Sequence, residues 1–296
     1  MPQTVKHIKS KTILGTVKQP DTWFGLKYNM NLYRGCSHGC IYCDSRSSCY
    51  GIDNFDNEII IKENALELLK KELASKKEIG TIGFGSMNDC YQEIEKEIEL
   101  TKKALEIISK YNFPLHILTK SDLVLRDINL LKEIKDNCGY CAVSFTITTT
   151  DDNLAKKIEP NASLPSKRLE AIKTLSKNGI YCGITMMPIL PFIEDNIENI
   201  SSIVKSAKES RAQYIIPSFG MTLRDRQKNY YFQKLDALFL GQNLTSKYKQ
   251  YYAERYNCNC LNYKILEKEF NRLCKENQID TKIKRFEEKG KQKKII

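Results

Sequence analysis

The sequence predicts an α/β fold, a partial (β/α)6 barrel of the TIM type followed by a C-terminal helical extension. Three observations carry that expectation. Short apolar runs alternate with stretches of helical periodicity six times in succession, the connections between them are short, and no Gly-, Ser- or Pro-rich linker or internal repeat interrupts the series. An open, doubly wound sheet shares this periodicity and is the rival arrangement. Residues 1–27 read as a basic N-terminal arm, 28–240 as the barrel, and 241–296 as a Tyr- and Lys-rich extension with a basic tail.

The first strand is expected over Tyr28-Asn29-Met30-Asn31-Leu32-Tyr33-Arg34, ending at Gly35-Cys36. Ala65, Leu66, Leu69 and Leu73 then share one helical face. Thr81 to Gly85 is the second strand, followed by one long amphipathic helix with Ile94, Ile98, Leu105 and Ile108 in step. Leu115 to Leu118 is the third, after which Asp127 is placed to cap a helix bearing Ile128, Leu131 and Ile134. Cys141 to Ile147 is the fourth, and the helix marked by Leu169, Ile172 and Leu175 stops at Asn178-Gly179. Tyr181 to Met187 is the fifth, closed by Pro188, with Asp195 opening the next helix. Tyr214 to Ile216 is the sixth, and Leu223 to Leu240 its helix.

Composition narrows the function classes. The formal net charge of +11 is concentrated at the ends, since residues 1–20 hold four lysines and no acid and residues 282–296 hold seven Lys or Arg against Glu287 and Glu288. The body between them is nearly neutral, so these ends are expected to be solvated and poorly ordered, with contact to a nucleic-acid backbone as the functional alternative. No stretch approaches the roughly 18 consecutive apolar residues of a membrane span, and Met1-Pro2-Gln3-Thr4-Val5-Lys6 is not a secretory leader. A cytoplasmic protein without a membrane partner is expected. Eleven cysteines in such a chain point to metal or catalytic chemistry before disulfides.

The decisive segment is Cys36-Ser37-His38-Gly39-Cys40-Ile41-Tyr42-Cys43, a Cys-x3-Cys-x2-Cys loop after the first strand. Three thiolates this close can converge on one metal centre, and compact cysteine loops of this kind hold iron-sulfur clusters. Three ligands leave one iron with an exchangeable position, as in catalytic metal sites. The alternative is a structural zinc or a closed cluster with Cys49 as fourth ligand. The loop's place at the carboxyl end of a barrel strand is where barrel active sites lie.

With Tyr42 preceding the last cysteine, this motif resembles the signature of the radical S-adenosylmethionine (SAM) superfamily. Tyr33-Arg34-Gly35-Cys36, Ser86-Met87-Asn88-Asp89-Cys90-Tyr91-Gln92, Leu118-Thr119-Lys120-Ser121, Ser144-Phe145-Thr146-Ile147-Thr148, Glu159-Pro160 with Arg168, and Pro188-Ile189-Leu190-Pro191 resemble its branch of spore photoproduct lyase and DNA repair photolyase-like proteins. The resemblance implies two cofactors, a [4Fe-4S] cluster on Cys36, Cys40 and Cys43 and SAM on the open iron. Reductive cleavage of SAM would give a 5'-deoxyadenosyl radical that abstracts a substrate hydrogen. A nucleic-acid lesion or nucleobase is the leading substrate, with a peptide or small molecule as the alternative and a non-enzymatic iron-sulfur or zinc module as the rival of another class. An electron donor such as flavodoxin or ferredoxin is the implied partner.

Carried over by position, the resemblance sets Tyr42 against the adenine and Gly83, Gly85 and Ser86 at the SAM amino group. It sets Lys120 at the carboxylate, with Arg168 as a second candidate there, and Asn88 and Thr146 as hydrogen-bonding residues. Each has an ordinary structural reading beside it: a solvated lysine, a β-forming threonine, an arginine on a helix surface. Two positions depart from the branch. Ser86 and Asp44 stand where spore photoproduct lyase has a hydrogen-donating cysteine and a relaying tyrosine, and neither side chain readily gives a hydrogen atom. Cys90 is the substitute catalytic candidate, against the reading of a small buried thiol. Cys138, Cys141, Cys182 and Cys274 are expected in the core. Cys258 and Cys260 form a Cys-x-Cys pair where a second metal or redox role would sit, and His38 is expected to be a solvated loop residue. Tyr248, Tyr251, Tyr252 and Tyr256 among Lys247, Lys249 and Arg255 suit either base stacking or packing.

Overall fold

The computed structural model describes residues 4–18, 21–55 and 57–287. In chain order its elements are β1 (Thr4–Ile8), β2 (Leu14–Thr16), β3 (Tyr28–Met30), β4 (Tyr33–Arg34), β5 (Glu58–Lys62), α1 (Ala65–Ser75), β6 (Ile82–Phe84), α2 (Glu95–Ile98), α3 (Leu100–Lys110), β7 (Leu115–Thr119), α4 (Ile128–Cys138), β8 (Cys141–Thr146), α5 (Asp152–Ile158), α6 (Pro165–Lys177), β9 (Tyr181–Met186), α7 (Ile197–Glu209), β10 (Ile215–Pro217), β11 (Gly220–Thr222), α8 (Asp225–Leu238), α9 (Leu244–Tyr252), β12 (Asn257–Asn259) and α10 (Tyr263–Asn277). Strands β3, β6, β7, β8, β9 and β10 lie parallel in that order, and β2 adds antiparallel to β3. The two edges do not pair, so the sheet is a partial barrel and not a closed one.

Side chains alternate across this sheet with the period of two that strands impose. Phe84, Ile117, Val143, Phe145 and Ile184 point outward into the main core, where the apolar faces of α1, α3, α4, α6 and α7 cover them. The concave face is more polar. Its lower part holds a chain of hydrogen bonds from His116 Nε2 to Ser144 Oγ (2.8 Å) and on to the Tyr214 hydroxyl (2.7 Å). Two segments far apart in the chain contribute to this floor. Phe24 lies 4.8 Å from the His116 ring, and Ile283 and Phe286 pack with Tyr140, Tyr181 and Tyr214.

Several expectations change. The arm is not free within its described part, because β1 pairs with β5 and β2 with β3. Tail residues 281–287 pack on the floor, and residues 288–296 lie outside the described chain. The anticipated first strand splits, since Tyr33 and Arg34 leave the main sheet for β5 and the Tyr33 hydroxyl donates to the buried Glu95 carboxylate. The long helix after β6 breaks at Glu99, in the left-handed region at φ 51°, because Glu95 accepts the Thr101 N–H (3.0 Å) and thereby starts α3 anew. Asp127 does not cap α4 with its side chain, which is held by Arg126 and the Tyr91 hydroxyl. The cap of α7 is Asn196, one residue after Asp195.

The extension beyond residue 240 is not helical throughout. Strand β12 pairs antiparallel with β11, and α10 packs on α7. The strands approach so closely that a Cβ on Gly220, whose φ is 144°, would lie 2.6 Å from Cys258 O. No described helix is long and apolar enough to cross a membrane.

Candidate active site

The cysteine loop leaves β4 through Gly35, where φ is 82° and a side chain would strike Glu58 O at 2.3 Å, so only glycine permits the turn. Beyond it, Cys36, Cys40 and Cys43 open onto one cavity of about 150 Å³ above the carboxyl ends of β6, β7 and β8. Among the described residues no three His, Cys, Asp or Glu side chains converge tightly enough for a single ion. Three cysteine thiols bordering one cavity are the ligand type that iron-sulfur clusters take. Cys49, the alternative fourth ligand, is exposed and does not line the cavity. Burial pushes the Cys36 thiol up to about 12 and raises Cys40 further, so metal loading must displace protons from both.

Opposite the cysteines, β6 and β7 supply the remaining wall. Gly85 sits at φ 88°, and a Cβ there would come within 1.8 Å of Leu118 O. Ser86 Oγ donates to Asn29 Oδ1 (3.3 Å), and Asn88 Nδ2 donates to Tyr33 O (2.7 Å), the latter bond tying the wall to the strand that launches the cysteine loop. Asp89 accepts from Thr119 Oγ1 (2.8 Å) and from the Lys120 N–H (2.6 Å), and lies 3.0 Å from His38 Nε2. Burial would raise the Asp89 carboxyl, yet His38 and the N–H donors of Lys120 and Tyr91 outweigh it and hold the group well below the usual range. His38 is therefore not the solvated residue expected; it is buried and joins the loop to the wall.

Tyr42 forms the floor of this cavity. Its hydroxyl donates to Glu159, whose other oxygen accepts from Arg168 Nη2 at 2.5 Å. Arg168 also donates to Ser163 O (2.6 Å) and Thr146 O (2.8 Å) and is buried. Burial favours protonation of Glu159, but Arg168 and Lys120 outweigh it and keep the carboxyl below its ordinary value. The Lys120 ammonium stands 5.7 Å from the Tyr42 ring centroid. Thr146 Oγ1 is 3.1 Å from Thr185 Oγ1 and faces the same cavity.

Of the residues singled out from sequence, the three cysteines, Tyr42, Gly85, Ser86, Asn88, Lys120 and Thr146 line this cavity, and three others do not. Gly83 lies within β6 and faces Leu26, whose Cδ1 a Cβ would meet at 2.4 Å. Cys90 is buried in the main core, which favours the reading of a packed thiol. Arg168 is engaged with Glu159 and backbone carbonyls, so it supports Tyr42 instead of facing the cavity. Cys258 and Cys260 do not form a pair: they fall in different apolar clusters, and their thiols contact Arg255 O and Ile189 O. Tyr248 and Tyr252 are core, whereas Tyr251 and Tyr256 are exposed.

Sequence reasoning missed the start of α8. Arg224 pairs with Asp44 and donates to the Tyr50 hydroxyl (3.0 Å), and Asp225 accepts from Ser47 Oγ (2.7 Å) and Ser48 Oγ (2.9 Å). Arg226 donates to Arg46 O (2.6 Å), and Gln227 Nε2 to Tyr42 O (3.1 Å). Three consecutive residues thus hold the segment after the last cysteine, and a fourth holds Tyr42 just before it. No local pattern announces contacts across some 180 positions.

Residues 30–204 match the radical SAM superfamily, and the chain belongs to it. The protein is a radical SAM enzyme, with a [4Fe-4S] cluster and SAM as its cofactors and a need for a reductant. An uncharacterized protein of Methanocaldococcus jannaschii, MJ0683, is 33% identical over 252 residues, covering 84% of this chain and 91% of that one. A radical SAM Nalpha-GlyT isomerase of Pseudomonas phage M6 is 24% identical over 167 residues, 56% of this chain and 34% of the phage protein. Among solved structures, spore photoproduct lyase complexed with dinucleoside spore photoproduct superposes with a TM-score of 0.66 at 18% identity, covering 92% of this chain and 79% of the other. The methyltransferase TsrM of Kitasatospora setae reaches 0.54 at 11% identity, covering 83% and 51%. These two show the shared fold.

Proposed function

We propose that the protein uses SAM to abstract a hydrogen atom from a nucleobase seated in a second cavity beside the cysteine loop. The carrying observation is continuity. A cavity of about 400 Å³ shares Tyr42, Cys43, Ser45, Ser86, Met187 and Pro188 with the first, and extends to Ser218, Thr222, Asn257 and Asn259. When bound, the cluster and SAM would supply the radical hydrogen-abstraction chemistry, and Tyr42, Cys43 and Ser86 stand on both cavities. Cys36, Cys40 and Cys43 are the proposed cluster ligands, and Lys120, Gly85, Ser86, Asn88 and Thr146 the SAM contacts. Tyr42, held by Glu159 and by Gln227, gives the adenine a rigid ring to rest on.

The substrate class follows from the far wall. The amides of Asn257 and Asn259 engage no protein partner among the described residues, and an amide offers both a donor and an acceptor to the edge of a base. The names of the phage isomerase and of the dinucleoside-bound lyase support the same class. Return of a hydrogen atom by the lyase's route is not part of this proposal. Asp44 is held by Arg224, Tyr50 and Thr222, Ser86 has no thiol, and among the described residues the thiols on either wall are those of the cysteine loop.

Anaerobic reconstitution with iron and sulfide, followed by dithionite and SAM, is expected to yield 5'-deoxyadenosine, and deuterium from labelled DNA is expected in that product. Intact SAM would overturn the radical reading. Deuterium arriving from a labelled peptide and not from DNA would overturn the substrate class alone.

A further inference from the structure

Radical SAM chemistry needs a reductant to supply the cluster with an electron. We infer that the carrier of that electron docks on the outer surface formed by the end of α5 and the α8–α9 connection, centred on Lys156, Lys157 and Leu240, and that it is a small acidic protein. The inference rests on the radical SAM reading of the cysteine loop.

Proximity is the first support. Residues 158–161 lie directly along the loop: the Ile41 N–H donates to Ile158 O (2.9 Å), the Asn161 N–H to His38 O (3.1 Å), and Asn161 Nδ2 to Ser37 O (2.9 Å). A Cβ on Gly39 would sit 3.3 Å from Pro160, which is itself exposed. Residues 158–161 therefore lie between the exposed lysines of α5 and the cysteine loop, and electron transfer falls steeply with distance.

Charge and shape are the second. Lys156 and Lys157 are exposed and have no ion-pair partner among the described residues, while the acids at the start of α5 are engaged elsewhere, Asp151 as the cap of the helix N-terminus and Asp152 with Ser166. Lys157 Nζ stands 5.7 Å from the Phe239 ring, and the next residue, Leu240, is 82% exposed, the highest value among the large apolar side chains. An apolar centre with cations beside it suits a transient contact steered by an acidic partner. Phe239 belongs to the same apolar cluster as Cys40, Ile41 and Ile158, so the patch is packed continuously onto the loop.

The test uses the reconstituted holoenzyme and flavodoxin, an acidic one-electron carrier, with binding followed by calorimetry at two salt concentrations and cluster reduction by stopped-flow absorbance. The double change Lys156→Glu/Lys157→Glu is expected to raise Kd about tenfold and to remove most of its salt dependence. Leu240→Asp is expected to raise it about threefold. The control pair Lys205→Glu/Lys268→Glu, on α7 and α10, changes net charge equally and should move Kd by less than about twofold. An unaltered Kd in the α5 variant, or an equal loss in the control, would overturn the assignment. Dithionite needs no docking surface and should reduce every variant at the wild-type rate. Failure of dithionite to reduce the wild-type protein would instead overturn the cluster reading beneath the inference.

Discussion

Lys120 shows how a single residue is set by its surroundings. Burial disfavours its charge, but Cys40 and Glu159 outweigh that effect and shift the group upward, so the ammonium stays protonated beside the cysteine loop. A cation fixed at a strand end is suited to the carboxylate of SAM. Lys120→Ala is expected to weaken SAM binding by about tenfold or more in titration of the holoenzyme, with iron content unchanged. Unaltered affinity would remove Lys120 from the site. Arg168 acts at one remove: with Glu159 it forms a buried ion pair that holds the Tyr42 hydroxyl. Removing either partner would leave an uncompensated buried charge, which costs about 3–5 kcal/mol.

At the scale of elements, the start of α8 is the part with the widest reach. It follows β11, whose Gly220, Met221 and Thr222 line the second cavity, and it grips the chain just after Cys43. Asp44 lies between them, accepting from Thr222 Oγ1 at 3.4 Å and from Arg224 Nε at 3.0 Å. Arg224 is thus a positioning residue linking the second cavity to the cysteine loop. Arg224→Gln is expected to alter the electron paramagnetic resonance signal of the reduced, SAM-bound cluster and to slow SAM cleavage about tenfold, with partial rescue by Arg224→Lys. An unchanged spectrum with unchanged cleavage would reduce α8 to a packing helix. Strand β12 belongs to the same unit, since without it Asn257 and Asn259 would not reach the cavity wall.

For the whole molecule, two segments far apart in the chain complete the concave floor. Phe24 and the segment carrying Ile283 and Phe286 cover His116, Ser144 and Tyr214, so the barrel interior is filled below and open above. This enclosure has a pH signature. Burial lowers the His116 pKa from 6.5 to about 4, against a smaller opposing effect of Asp21. The neutral ring is the one the fold accommodates, so its stability is complete above pH 6.5 and is lost as pH falls towards 4, by about 3 kcal/mol. His116→Gln is expected to flatten the pH dependence of the urea midpoint between pH 7 and 4.5 relative to the parent. Identical slopes for the two proteins would rule out His116 as its source.

Much of this was legible in the chain. The six alternations fixed which segments became strands and helices because period and turn residues are local properties, and the cysteine spacing marked the candidate cluster loop because its three thiols lie within eight residues. Errors gathered where a distant partner intervened. Glu95 broke a helix by reaching Thr101 while holding Tyr33, and Arg126 drew Asp127 away from its cap. Cys90 and Arg168 carried the right chemistry but faced the core and a buried carboxylate. The amino-acid order alone determined the barrel class, its strand series and the three-thiol loop. Tertiary structure alone decided which side chains face the cavity, that α8 and β12 complete it, and that Phe24, Ile283 and Phe286 close its base, because those outcomes depend on contacts between residues far apart along the chain.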